Sequence, residues 1–330
     1  MAKESSRTNY SGFNKDFLLM LWAPLLMAWY FYGERALRLA FISVLLSLSL
    51  SFICDLLLKK KTLILKPSAI VTGLLISLML PAGASFSLLS ASVAFAYIVC
   101  ILPFGNGEKL PFVPAAAAIT FATVCRTAAV FTYPSLSYPV TAAGDPAFVE
   151  GTSLAYSLAQ GNSIHSGATS VIKIFIGEYP GPMGATCTLI LLAAGVYLFF
   201  RHRNKFLIFF GYILSICVFA AVFPRILTGS YNSVVMELCS GTLVFAGLFL
   251  FTQPYCSPSG NLSGFLFGIT SGLLVMLFRK FGIYEDSTCF VVLIMNALSP
   301  LFTKAFDLSH RKENKKKKAR LSYKERAKEA

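Results

Sequence analysis

The sequence predicts an all-α polytopic membrane protein of about ten transmembrane helices, and three observations predict it. Of its 330 residues 56% are hydrophobic and only 13% charged, whereas a soluble globular chain carries about 25% charged residues. That leaves too few charges to cover a water-facing surface. The apolar residues come in separate runs without the period-2 alternation of barrel strands. Lys and Arg gather between alternate runs, as they do in cytoplasmic loops.

Taken in order, the runs place spans at roughly 16–32, 38–57, 68–81, 86–104 and 114–132. After a long loop come 183–200, 206–223, 233–253, 264–278 and 286–306. The first run is followed by Gly33-Glu34-Arg35 and lacks a small-x-small cleavage site, so it reads as a span and not as a signal peptide. With the N-terminus inside, 22 of the 29 basic residues fall on the cytoplasmic side. Six fall outside (Arg35, Arg38, Lys173, Arg225, Arg279 and Lys280), and Arg126 lies within a span. Both termini are then cytoplasmic and loop 133–182 is extracytoplasmic. The chain divides into an N-terminus (1–15), a first five-helix unit (16–132), the loop (133–182), a second five-helix unit (183–306) and a basic tail (307–330).

Two spans are irregular. The third, AIVTGLLISLMLP, is short and closes on Pro81; the eighth carries Gly241 and Gly247 and closes on Pro254. A helix needs about 20 residues to cross ~30 Å of hydrocarbon, so the third enters only partway. Interrupted segments at matching positions of two five-span halves point to inverted repeats, with a site near their axis.

The net charge of +14 is concentrated in the tail, with ten Lys or Arg between Arg311 and Lys328. It reads as a solvated segment against anionic membrane lipid, with no nucleic-acid partner. The eight cysteines include no C-x-x-C pair and lie mostly in apolar runs, which suggests neither a zinc site nor a disulfide framework.

Arg126, in FATVCRTAAVF, needs a partner or a wet cavity, because a charge at membrane depth costs about 2.5–3.5 kcal/mol. Glu237, about one turn into the eighth span, stands at matching depth. The expectation is that the two pair and join the halves; the alternative is that each meets water or headgroups alone. No Walker loop, Rossmann fingerprint or histidine pair at ligand spacing occurs, and His165, His202 and His310 are scattered.

The long loop contains SIHSGATS, residues 163–170. A threonine flanked by Gly and Ala presents an accessible hydroxyl on backbone that can enter another protein's cleft. Such a hydroxyl is a nucleophile only when a base or metal activates it, and the neighbours supply no carboxylate. Modification by a separate enzyme therefore fits better than self-catalysis. On chemistry alone, an unmodified turn is still the favoured reading.

The stretch IHSGATSVIKIFIGEYPGPMGATCTLILLAAGVYLFFRHRNK resembles the RnfD/NqrB family. That family comprises RnfD, of the Rnf electron transport complex, and NqrB, of the sodium-translocating NADH:quinone reductase. KPSAIVTGLLISLMLPAG and SGTLVFAGLFLFTQP resemble the family's two short helices. GFLFGITSGLLVMLFRKFGIYEDSTCFVVLIMNALSPLF resembles its final hairpin. The resemblance covers roughly residues 60–306. It implies ten helices in two inverted repeats, similar to urea transporters, and FMN joined through its phosphate to Thr169. Ser166, Gly167 and Ala168 complete that motif, and His165 stands beside it. It further implies an ApbE-type transferase using FAD and Mg²⁺, other Rnf-type membrane subunits including a flavinylated one, and coupling of ferredoxin and NAD to movement of Na⁺ or H⁺. A second, non-covalent flavin is left open.

Three stretches depart from the family pattern. Ser163 stands where Asp is usual, FGNGEKLPFVPA replaces FGGxGxNPFNPA, and Thr252-Gln253-Pro254 replaces TDP. The short segment before the first span favours the RnfD branch over the NqrB branch. From another class, a channel or transporter on the same scaffold would bind no flavin.

Overall fold

The computed structural model describes residues 2–59, 66–105, 110–136, 148–160, 168–226, 230–258 and 260–304, with the side chains of 2–11, 168–171 and 230 outside that description. Among the described residues it is predominantly helical, and its sheet is a two-residue antiparallel ladder of β1 (Tyr133–Pro134) and β2 (Glu150–Gly151), in which Tyr133 faces Gly151. The protein is an all-α multi-pass membrane protein. Among the described residues, three helices are long and apolar enough to cross a bilayer: α2 (Glu34–Leu57), α10 (Arg203–Val222) and α13 (Asn261–Phe281). A bent pair, α11 (Ser230–Cys239) and α12 (Leu243–Phe249), makes a fourth candidate.

Helix starts follow local chemistry. α3 (Pro67–Met79) and α5 (Pro114–Cys125) each open on proline, whose fixed φ and missing N–H suit the first helical position. α4 (Phe86–Ile101) begins at Ser85, whose hydroxyl accepts from the Leu88 N–H, and its last six residues wind as a π-helix. α1 (Ala2–Tyr32) runs unbroken through Pro24 and begins well before the span expected at 16.

α3 is the short helix expected at the third span. At 13 residues it is only ~20 Å long, and it is buried from Val71 to Met79. Close approach of small residues seats it. Ser43, Ser47 and Ser51 of α2 are buried at helical spacing, and Ser43 Oγ donates to Gly73 O of α3 at 2.7 Å. A Cβ on Gly73 would lie 2.7 Å from Ser47 Oγ. α10 and α13 use the same device. On α13, Gly264, Gly268 and Gly272 face α10, and a side chain at Gly268 would collide with Ile208 O. Backbones approach in this way because lipid tails supply no hydrophobic drive between helices, so packing must.

Two helices are broken. Between α5 and α6 (Thr127–Phe131), the chain leaves helical geometry at Arg126, with φ −144° and ψ 62°. α11 and α12 meet at 59° across Ser240-Gly241-Thr242. One large core joins α1 to α5 with α9 (Thr188–Arg201), α10, α12, α13 and α14 (Thr288–Lys304). Asp16 of α1 adds a polar tie to the turn between α9 and α10, accepting from Arg201 Nε at 3.1 Å and lying 2.8 Å from His202 Nε2.

Candidate functional site

The SGAT motif runs into α8 (Ala168–Ile176), so Thr169 lies in the first turn of that helix. His165, Ser166 and Gly167 lie outside the described residues, as do Ser163 and the Thr169 side chain. Further along α8, Ile172 and Lys173 are exposed and Ile174 is buried. Ile174 enters a small second core with Leu154 and Leu158 of α7 (Leu154–Ala159), Tyr179, and Met236 and Cys239 of α11. This cluster docks the motif-bearing helix on the broken helix pair. The exposed Lys173 and Glu178 pair at 3.6 Å.

The chain leaving α8 is tied down at once. Gly177 has φ +100°, and a Cβ there would lie 2.9 Å from the Cys187 nitrogen, so only glycine fits this turn. Tyr179 donates its hydroxyl to Cys239 O, closing one orphan carbonyl at the end of α11. Tyr32 Oη donates to Gly181 O at 3.1 Å. The Met183 and Gly184 N–H groups donate to Leu80 O at 3.2 Å and Leu78 O at 2.7 Å. Segment 177–184 thus links α8 to α1, α3 and α11.

Beneath this platform lies a buried ionic cluster. Glu237, in the last turn of α11, faces Arg225 Nε and, at 3.4 Å, Arg279 Nη1. Arg279 also donates to Ser240 Oγ at 2.6 Å and Ser240 O at 3.1 Å. Asp286 Oδ1 lies 3.4 Å from Arg279 Nη2, and its Oδ2 accepts from Thr242 N and Thr242 Oγ1, both at 2.7 Å. A cation therefore meets the C-terminus of α11 and a carboxylate the N-terminus of α12, each at the end that its sign stabilises. The Thr288 N–H also donates to Asp286 Oδ1 at 3.1 Å.

Glu285, next in the chain, accepts from the Ser153 hydroxyl. Ser153 in turn caps α7 by accepting from Tyr156 N at 3.0 Å. Burial, against the opposing Ser153 hydrogen bond, lifts the Glu285 pKa from 4.5 to about 7. A cavity of ≈ 20 Å³ lies between the end of α3 and the start of α12, lined by Met79, Thr123, Tyr133, Pro182, Thr242 and Asp286 among others. It has room for about one water.

The expected pair of Arg126 and Glu237 does not form. Arg126 sits at the α5–α6 break and is exposed. Glu237 is fully buried and satisfied by Arg225 and Arg279. Hydropathy places Arg225 and Arg279 outside the spans, but Arg225 follows directly on the end of α10, and α13 runs on past the expected boundary so that Arg279 is buried in its last turn. Sequence reasoning also misses the acidic pair Glu285-Asp286. Two carboxylates just beyond Arg279-Lys280, at the end of an apolar run, are the signal that could have revealed the cluster.

Similarity to known proteins agrees with this architecture. Residues 4–310 match the NQR2, RnfD, RnfE family, a longer stretch than the 60–306 expected from the motifs. The chain is similar to the D-type subunit of the ion-translocating oxidoreductase complex of Stutzerimonas stutzeri, 27% identical over 261 residues, covering 72% of this chain and 73% of that one. The corresponding protein of Cronobacter sakazakii is 28% identical over 308 residues, covering 83% and 86%. The D-type subunit of the Na(+)-translocating ferredoxin:NAD(+) oxidoreductase complex of Acetobacterium woodii is 27% identical over 298 residues, covering 88% of each. With the family's pattern running through nearly all of the described helices, this chain belongs to the NQR2, RnfD, RnfE family.

Proposed function

We propose that this chain is the D-type subunit of an Rnf-type ion-translocating ferredoxin:NAD oxidoreductase complex, carrying electrons through FMN esterified to Thr169. The family match and the names of its relatives support the subunit role. The observation that carries the flavin assignment is the position of Thr169 in the first turn of α8, on a helix docked through Ile174. A phosphate ester there meets N–H groups without an intrahelical partner and the positive end of the helix dipole, so the backbone suits the group. Lys173, one turn on along the same face, adds a cation.

The orientation read from the basic residues puts α8 on the extracytoplasmic face of a bacterial inner membrane and both termini in the cytoplasm. The paired interruptions at α3 and α11–α12 support inverted repeats. Other Rnf-type membrane subunits, one of them flavinylated, are the electron partners. An ApbE-type transferase loads the site: the Thr169 oxygen bonds to the FMN phosphorus of FAD, AMP leaves, and the hydroxyl proton is released. The bound flavin supplies reversible electron transfer; the protein supplies position and electrostatics.

The test is in-gel flavin fluorescence after denaturing electrophoresis of the native chain and Thr169→Val, each co-expressed with the transferase. A fluorescent native band that is absent from the variant supports the assignment. A dark native band beside a fluorescent known flavinylated protein overturns it.

A further inference from the structure

An apolar groove runs between α1, α2 and α3. It consists of cavities of ≈ 500 Å³ and ≈ 540 Å³ that share Leu18, Trp22 and Ile70. Lys15 and Pro67 line one end and Arg38 with Phe41 the other, and apolar side chains fill the interval. Lys15 and Arg38 are both exposed and form no ion pair among the described residues. Asp16, the acid next to Lys15, is already held by Arg201 and His202, and Lys66 near the same end is paired with Asp55 at 2.6 Å. Among the described residues, the uncompensated charge at this end is therefore positive.

Length identifies the occupant. From Lys15 to Leu25 along α1 is ten residues, about 15 Å, or half of the ~30 Å hydrocarbon thickness. That is the depth of one leaflet, hence of one lipid tail; a partner's transmembrane helix would need an apolar strip twice as long. Arg38 lends its aliphatic stem to the far wall, and its guanidinium can reach the opposite interface.

We propose that α1, α2 and α3 form a binding site for an anionic phospholipid, with one acyl chain in the groove against Trp22 and the headgroup at Lys15.

Tryptophan fluorescence tests this directly, because the chain has only two tryptophans, Trp22 and Trp29. Trp29 is half exposed on the same helix, two turns away, and lines neither cavity. The full chain carrying Trp29→Phe reports the groove, and the chain carrying Trp22→Phe reports the surrounding bilayer. Each is reconstituted in phosphatidylcholine vesicles containing a minor fraction of phosphatidylglycerol or phosphatidylcholine brominated on the acyl chains. Trp22 is expected to sense brominated phosphatidylglycerol as if enriched about fivefold over phosphatidylcholine, the preference one lysine gives near an anionic headgroup. Trp29 is expected to respond equally to both, and Lys15→Gln to bring Trp22 to the same parity. Equal quenching of Trp22 by both lipids, as by ordinary surrounding lipid, would overturn the proposal. So would no quenching by either, which would mean a groove filled by protein, or a preference that survives Lys15→Gln.

Discussion

Arg279 and Asp286 grip the two sides of one backbone break: the guanidinium holds the Ser240 carbonyl at 3.1 Å and the carboxylate holds the Thr242 N–H at 2.7 Å. Between them Gly241 takes φ +58°. The break would otherwise leave an orphan acceptor and an orphan donor in a water-poor interior, where each costs several kcal/mol. The ion pair is thus the physical reason that α11 and α12 can part at this depth and still support α8.

Removing one partner should cost far more than removing a surface charge. Arg279→Ala leaves Glu237 and Asp286 buried and under-compensated, and should lower unfolding stability in detergent by about 3–5 kcal/mol. Arg279→Lys should recover little, since one ammonium cannot serve Ser240 and both acids together. Lys173→Ala, at an exposed pair, should change stability by under about 0.5 kcal/mol. Denaturant titration of the three variants makes the comparison.

Gly241 should tolerate substitution worse than Gly33, although both have positive φ. A Cβ at Gly33 meets open space, so Gly33→Ala costs only backbone strain, about 1–3 kcal/mol. At Gly241 a Cβ would also stand 2.6 Å from Arg279 Nη2 and 2.7 Å from Asp286 Oδ2. The expected result is a lower melting temperature for Gly241→Ala than for Gly33→Ala. Equal melting temperatures would contradict the clamp.

Glu285 makes stability pH-dependent in a defined window. Its folded pKa of about 7 lies above the ordinary 4.5, so the folded state binds this proton more tightly than the unfolded state. The contribution is fully present below about pH 4.5 and is lost as pH rises through about 7. Glu285→Gln, which stays neutral, should remove that decline and be the more stable protein at pH 8. Melting curves recorded between pH 5 and pH 8 check the sign; a native protein that gains stability over Glu285→Gln with rising pH would contradict it.

The α10–α13 contact should reject any enlarged side chain. Gly268→Leu forces apart backbones that meet at Ile208 O, and overpacking of this kind costs about 1–3 kcal/mol or more. Lower yield and a lower melting temperature, with Leu277→Ala on the exposed face of α13 close to native, would fit.

Much of the fold was legible because apolar run length and Gly/Pro punctuation follow directly from the bilayer. The runs at 38–57 and 206–223 correspond to α2 and α10, and short α3 and broken α11–α12 stand at the two irregular spans. The ionic cluster was not legible. Hydropathy ranks Arg225 and Arg279 as residues beyond span ends, whereas Arg225 follows the end of α10 and Arg279 is buried within the last turn of α13, facing the α11–α12 break. Arg126 misled for the opposite reason: it lies within an apolar run, yet a break in α5–α6 leaves it exposed. Thr169 could be singled out because its motif is local, but the docking of α8 through Ile174 is a tertiary contact that spacing does not encode.

The first measurement to make is peptide-mapping mass spectrometry of the chain purified after co-expression with the transferase. The peptide containing Thr169 is expected to carry one FMN as a phosphate ester, with fragment ions that place it on Thr169, and Thr169→Val is expected to carry none. An unmodified Thr169 peptide in a preparation where a known flavinylated protein is fully loaded, or flavin on another residue, would contradict the proposed role.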